Sequence, residues 1–196
     1  MPDLVVYERR RAGGDRPGVV RVRRRAGGDV SLSRRAPATP VIPAGEDVVT
    51  AFLSRRPFYI SHRMGGTEFP EFTQTGLSAS FRAGFKALEL SVRRCASGEF
   101  VALHDWKTSR TVPGTDYQLW NTPWSTLRTL RQASGGFMRL TDIVDQVPDD
   151  VVLAIDHKTT SSEDQRNPGD LAAEAQLFDY LDTTFGGHPE RRVLWQ

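Results

Sequence analysis

The sequence has one cysteine in 196 residues, Cys95, which excludes an internal disulfide and any metal site built on cysteine pairs. It has no apolar run approaching the ~20 residues of a membrane-crossing helix. Near the N-terminus the arginine triplets Arg9–Arg11 and Arg23–Arg25 interrupt every stretch that could act as the apolar part of a secretory signal. Neither membrane insertion nor signal-led secretion is therefore supported, and the compartment is left open. Acidic excess is missing too, the formal net charge being +2.

That small net charge hides an asymmetry. The first 35 residues carry ten arginines against four acidic residues, a charge of +6, so the remaining 161 stand at −4. Within this arm "RRRAGGD" occurs twice, at Arg9–Asp15 and Arg23–Asp29, each time after a short β-type run, "LVVY" and "VVRV". A 14-residue period with Gly-Gly-Asp turns predicts a small hairpin or meander with arginines facing outward. Two copies are too few for a solenoid. No aromatic residues interleave with the arginines as a stacking platform for bases, so nucleic acid is disfavoured as a partner and a solvated or docking appendage is the simpler reading. "APATPVIPAG", Ala36–Gly45, reads as an extended linker. The expected division is thus a basic β-type arm at 1–35, a linker at 36–46 and one domain at 47–196.

From Asp47 onward strands alternate with helical patterns, which predicts an α/β domain. The expected strands are Phe58–Ser61, Ala87–Val92, Phe100–Leu103, Val151–Asp156 and Arg192–Trp195. Leu77, Phe81 and Gly84 share one helical face; Leu140, Ile143, Val144 and Val147 share another; Leu171, Phe178, Leu181 and Phe185 form a third stripe. Asn167-Pro168 suits a helix start and Gly186 a stop. Apolar strands such as "VVLAI" predict a parallel sheet covered on both faces.

Polar residues collect where these strands end: His62-Arg63 after the first, Glu89 and Ser91 on the second, His104-Asp105 after "FVAL", and Asp156-His157-Lys158 after "VVLAI". In parallel α/β folds this end of the sheet carries the site. Such a set suits phosphodiester cleavage. Arg63 and Lys158 could hold an anionic phosphate, while a hard divalent cation, Mg²⁺ or Ca²⁺, on Glu89 and Asp156 would neutralise charge on its oxygens. His62 and His104 titrate near neutral pH and suit acid and base work.

The blocks "HRMGG…PEFT", "AGFKALELSV", "GEFVALHDWKTSRTVPGT" and "LAIDHK" resemble, in order and spacing over Tyr59–Lys158, the signatures of the glycerophosphodiester phosphodiesterases: His-Arg-Gly, Pro-Glu-Asn-Thr, Glu-Leu-Asp-Val, His-Asp with Arg-Thr, and Glu-x-Lys. The resemblance implies a TIM barrel of eight βα units. It also implies hydrolysis of glycerophosphodiesters to glycerol 3-phosphate and an alcohol, with the glycerol 2-hydroxyl as internal nucleophile. By position, His62 and His104 would be the acid-base pair, Arg63 and Lys158 the phosphate ligands, and Glu89 and Asp156 the metal ligands. Phosphatidylinositol phospholipases and sphingomyelinase D-type toxins share this logic, so the substrate stays open.

The chain departs from the pattern at several points. Ser91 stands where the family has a second metal carboxylate, Asp156 where Glu is usual, and Phe72 where Asn is usual. "RRVLWQ" resembles the start of a fifth strand, and the sequence stops there, well short of the about 250 residues of a closed barrel. The expectation is the N-terminal portion of a TIM-type barrel, four to five strands: either a truncated or split product, or a chain whose other half is supplied by a second copy or a second chain. Without such a partner it would expose an apolar surface. The alternative reading is a catalytically impaired relative that binds phosphate as a module of a larger assembly.

Overall fold

The computed structural model describes residues 4–7, 19–22, 47–54, 57–65, 68–133, 135–158 and 170–195. The Gly-Gly-Asp turns, the linker and Asn167-Pro168 lie outside the described residues. In the arm, β1 (Leu4–Tyr7) pairs antiparallel with β2 (Val19–Val22), Leu4 opposite Val22 and Tyr7 opposite Val19.

The main body opens with α1 (Val48–Ser54), whose first turn is held by the Asp47 carboxylate accepting the Thr50 N–H at 2.9 Å. The expected strand at Phe58–Ser61 shrinks to a single parallel bridge. Ser61 donates its N–H to the Ala87 carbonyl and accepts from the Glu89 N–H, both at 2.9 Å, before the chain turns away at His62. Next comes α2 (Gln74–Arg82), capped by Thr73, whose hydroxyl oxygen accepts the Gly76 N–H at 3.2 Å. Leu77 is fully buried on its inner face. Gly84 is not on that face but beyond the helix end, at φ +80, where a residue with a Cβ would be strained.

β3 (Ala87–Arg94) and β4 (Phe100–Ala102) form a hairpin, which corrects the expectation of a purely parallel sheet. The physical reason is the short connection: a parallel crossover needs a dozen or more residues, whereas Cys95–Glu99 can only turn the chain back. There follow α3 (Trp124–Leu127), the paired two-residue strands β5 (Arg131–Gln132) and β6 (Gly135–Gly136), and α4 (Leu140–Val144). β7 (Val152–His157), α5 (Asp170–Thr184) and β8 (Val193–Trp195) complete the body. The strand order is β4-β3-β7-β8, with β3, β7 and β8 parallel.

Alternation along the strands sorts the two faces. Leu88, Leu90, Val92, Leu153 and Ile155 pack outward with Leu77, Leu140, Ile143, Leu177 and Leu181 from the helices. On α5 the buried stripe is Ala173, Leu177 and Leu181; Phe178, expected in it, is 44% exposed and stacks on Trp195 with ring centres 4.4 Å apart.

The inner face is divided along the strand direction. At its lower end Ala87, Val152 and Ala154 meet Val48, Val49 and Phe52 of α1, together with Phe58 and Ile60. Each large side chain buried there contributes roughly 1.5–3 kcal/mol. α1 thus covers this lower inner face, and the exposed large apolar side chains among the described residues are Tyr59, Tyr117 and Phe178. Two residues further up the same face the apolar side chains give way to Glu89, Ser91 and Arg93 on β3 and to Asp156 on β7, with Lys158 just beyond it. That polar end is the site.

Candidate active site

Strand pairing places Ser91 directly opposite Asp156, and the Ser91 hydroxyl donates to Asp156 Oδ2 at 3.0 Å. Lys158 Nζ lies 2.8 Å from the same oxygen. His62 Nε2 is 3.8 Å from Glu89 Oε2, and the Arg63 backbone N–H bonds that carboxylate. The turn that aims these groups has Arg63 at φ +49 and Met64 at φ +52. Left-handed backbone costs residues with a Cβ roughly 1–2 kcal/mol each, so packing must hold the turn. Fully buried Met64 supplies part of that hold, and Gly65 and Gly76 supply the rest by direct backbone approach. A Cβ on Gly76 would lie 2.3 Å from the Met64 carbonyl oxygen. Gly65 thus packs closely against α2; Gly66 lies outside the described residues.

His104 returns to the same rim from the opposite direction. Because β4 runs antiparallel, Leu103 lies opposite Ser91 and donates to its carbonyl at 3.0 Å, bringing His104 to the same end of the sheet. Its Nδ1 lies 2.9 Å from Asp105 Oδ1. Burial alone would raise the Asp105 carboxyl, but hydrogen bonds from Arg110 and His104 outweigh it and hold it below the usual carboxylate range. An ionised carboxylate only accepts, so His104 carries its proton on Nδ1 and leaves Nε2 for exchange.

Burial, reinforced by the Arg63 charge, pushes the His62 imidazole down to about 4. Burial and the neighbouring Asp156 charge push the Glu89 carboxyl up to about 7. His62 also interacts electrostatically with Glu71, His104 and Asp156, and Glu89 with Arg63 and Lys158. All the predicted residues, His62, Arg63, Glu89, Ser91, His104, Asp156 and Lys158, therefore meet at one rim.

Three further residues join them. Glu71 is shared by Arg63, at 3.0 Å, and Arg110, which also holds Asp105. A continuous polar path thus runs His104, Asp105, Arg110, Glu71, Arg63 and on to the neighbouring His62. Arg93 is 6% exposed and donates twice to the His104 carbonyl, at 3.0 and 2.8 Å, and once to the Lys158 carbonyl, at 2.9 Å. Glu71 and Arg110 were visible as charged residues inside "PEFT" and "SRT"; Arg93 continues the two-residue alternation from Glu89 through Ser91. His157 faces away and stacks on Trp195 at 5.4 Å. Trp106 and Trp120 stack on each other at 5.3 Å, and Trp124 packs beside the Arg139 guanidinium.

The donors fit a hard divalent cation poorly. Among the described residues no three His, Cys, Asp or Glu side chains are grouped to hold one. Glu89 and Asp156 offer two carboxylates, Ser91 offers a neutral oxygen already bonded to Asp156, and Lys158 brings a cation to the same oxygen. Such ions ask for about six oxygen ligands and anionic charge.

Comparison with known proteins bears on the family and the fold. Residues 62–184 match the glycerophosphoryl diester phosphodiesterase family. Among solved structures, the glycerophosphoryl diester phosphodiesterase domain of a Mycobacterium tuberculosis protein is 18% identical with TM-score 0.53, covering 69% of this chain and 50% of its own. A glycerophosphodiester phosphodiesterase from Agrobacterium tumefaciens is 21% identical with TM-score 0.50, covering 70% and 56%. A glycerophosphoryl diester phosphodiesterase from Parabacteroides distasonis is 20% identical with TM-score 0.53, covering 69% and 45%. The chain therefore spans about half the length of these relatives, as a partial TIM barrel does. No match was found among curated proteins. By the family match over most of its length and by its fold, the chain belongs to the glycerophosphoryl diester phosphodiesterase family.

Proposed function

We propose that the rim hydrolyses a glycerophosphodiester to glycerol 3-phosphate and an alcohol. The observation that carries this reading is the pair of histidines brought to one rim from two different segments, one neutral by burial and the other oriented by a carboxylate. His62, uncharged across the neutral range, enters as proton acceptor. It takes the proton of the attacking oxygen as that oxygen bonds to phosphorus, and the complementary role falls to His104, which enters this step as the imidazolium, keeps its Nδ1 proton on Asp105 and gives its Nε2 proton to the departing alcohol as the P–O bond breaks. Water supplies the new oxygen and hydrogen overall, either directly or by opening a cyclic phosphate formed by the glycerol 2-hydroxyl. Lys158 and Arg63 provide positive charge for the phosphate oxygens, and Arg110, by sharing Glu71, keeps Arg63 from being fully neutralised.

Among the described residues no helix is long and apolar enough to cross a membrane. A second reading, a phosphate-binding module without turnover, draws on Ser91 at the carboxylate position.

The test is release of glycerol 3-phosphate from glycerophosphocholine and related diesters. Turnover is expected in the parent, with a loss of about 10²–10⁴-fold in His62→Ala and in His104→Ala. A folded parent with no turnover on any diester, but with phosphate binding weakened by Lys158→Met, would establish the module instead.

A further inference from the structure

We propose that Lys158, selected by Ser91, is the resident cation of the acidic pair Glu89–Asp156, so that the site works without a divalent metal ion. The inference rests on the hydrolase reading for its consequence, but its physical content concerns cation binding alone.

The geometry begins with the sheet. Ser91 and Asp156 are register partners on adjacent parallel strands, so their side chains emerge side by side whatever the occupant of the site. Ser91 is fully buried and turns its hydroxyl to Asp156 Oδ2 at 3.0 Å. Lys158 is two residues after Asp156, hence on the same side of the extended chain, and puts Nζ 2.8 Å from that oxygen. The Lys158 carbonyl is held by buried Arg93 at 2.9 Å, which fixes the backbone from which the ammonium group reaches back.

The charge count then decides between the two kinds of cation. Glu89, Asp156 and Lys158 sum to −1. A carboxylate at position 91 would make the sum −2, place a third anionic ligand beside Asp156, and set the ammonium group in competition with any ion that could bridge all three. With serine the third ligand is neutral and spends its proton on Asp156. Two carboxylates partly neutralised by an adjoining ammonium group give a hard dication too little charge and too few oxygens to offset the loss of its hydration shell. The ammonium group meets no such demand, since one carboxylate and a nearby phosphate satisfy its donors. Ser91 is in this sense the residue that sets which cation serves the site.

Thermal unfolding and calorimetric titration of the full chain with MgCl₂ and with CaCl₂ test the point without reference to turnover. The parent is expected to show no saturable binding in the millimolar range. Ser91→Asp is expected to gain affinity by at least about tenfold. Because Ser91→Asp buries a charge and could fail to fold, Lys158→Met provides a second route: it keeps the aliphatic stem, removes the competing cation, and is also expected to gain cation binding. Saturable binding by the parent that disappears in Asp156→Asn would overturn the proposal. Turnover measured in parallel separates the two readings. EDTA-resistant release of glycerol 3-phosphate supports both, and EDTA-abolished release overturns the resident-cation proposal while keeping the hydrolase. No release from a parent that also binds no cation supports the resident cation and removes the hydrolase.

Discussion

Arg93 shows how much of this site depends on groups that would not touch a substrate. Its guanidinium spans the carbonyls of His104 and Lys158, two residues 54 positions apart in sequence, and so sets the spacing between a candidate acid-base group and a candidate phosphate ligand. In Arg93→Met the aliphatic volume is largely kept but both carbonyls lose their buried donor. The expected cost is about 1–3 kcal/mol, measured by urea unfolding, with Arg93→Lys recovering only part because one ammonium group cannot span both. The His62 and Glu89 shifts act on stability in opposite senses. A carboxyl raised from 4.5 to about 7 binds a proton more tightly folded than unfolded, so its contribution is present at low pH and is lost as pH rises through that window. An imidazole lowered from 6.5 to about 4 contributes stability at high pH that is lost as pH falls between those values. Glu89→Gln removes the first effect, so its Tm relative to the parent is expected to climb between pH 5 and pH 8. A pH-independent difference would show that Glu89 titrates normally in the folded chain.

At the scale of elements, the turn after Ser61 and the start of α2 act as one unit. Arg63, Met64 and Phe72 all sit at positive φ, and Phe72 and Met64 are fully buried, so apolar packing holds a backbone that is unfavourable by itself. Phe72 stands where the family pattern has Asn, a residue more tolerant of this conformation. The chain thus exchanges backbone ease for core volume, which is a packing consequence and leaves the neighbouring Glu71 free to bridge Arg63 and Arg110. The tightest constraint is Gly76 against the Met64 carbonyl. Gly76→Ala is expected to destabilise the fold toward the upper end of about 1–3 kcal/mol, and to displace the His62 turn, visible as altered His62 side-chain NMR shifts. An unperturbed Gly76→Ala protein would mean that α2 can slide away from the turn at little cost.

At the scale of the molecule, α1 matters most. It lines the lower inner face of the sheet with Val48, Val49 and Phe52, and Phe52 meets Phe58 with ring centres 5.2 Å apart. The apolar floor supports the polar rim directly above it. Phe52→Ala is expected to cost about 3–5 kcal/mol and to increase binding of an apolar dye as the inner face opens. A small loss with unchanged dye binding would indicate that the neighbouring side chains collapse into the space.

Sequence by itself determined the candidate site positions and the class of fold, because both rest on local signals. Strand alternation and turn residues mark the elements, and His62-Arg63, Glu89, His104 and Asp156-x-Lys158 lie within short blocks whose spacing follows the strands. The β4 hairpin was concealed because "FVAL" reads the same in either direction, and only the five-residue connection at Cys95–Glu99 argued for reversal. Phe178 was misplaced for a similar reason: helical spacing defines a stripe, but which neighbour fills its edge depends on Trp195. What tertiary structure alone decided was pairing across distance. That Glu71 lies between two arginines, that Arg93 ties His104 to Lys158, that α1 closes the inner face, and that Ser91 and Lys158 converge on one oxygen of Asp156 are contacts between segments far apart in the chain. No local periodicity encodes them, since they arise when register and packing bring separate strands and loops to the same end of the sheet.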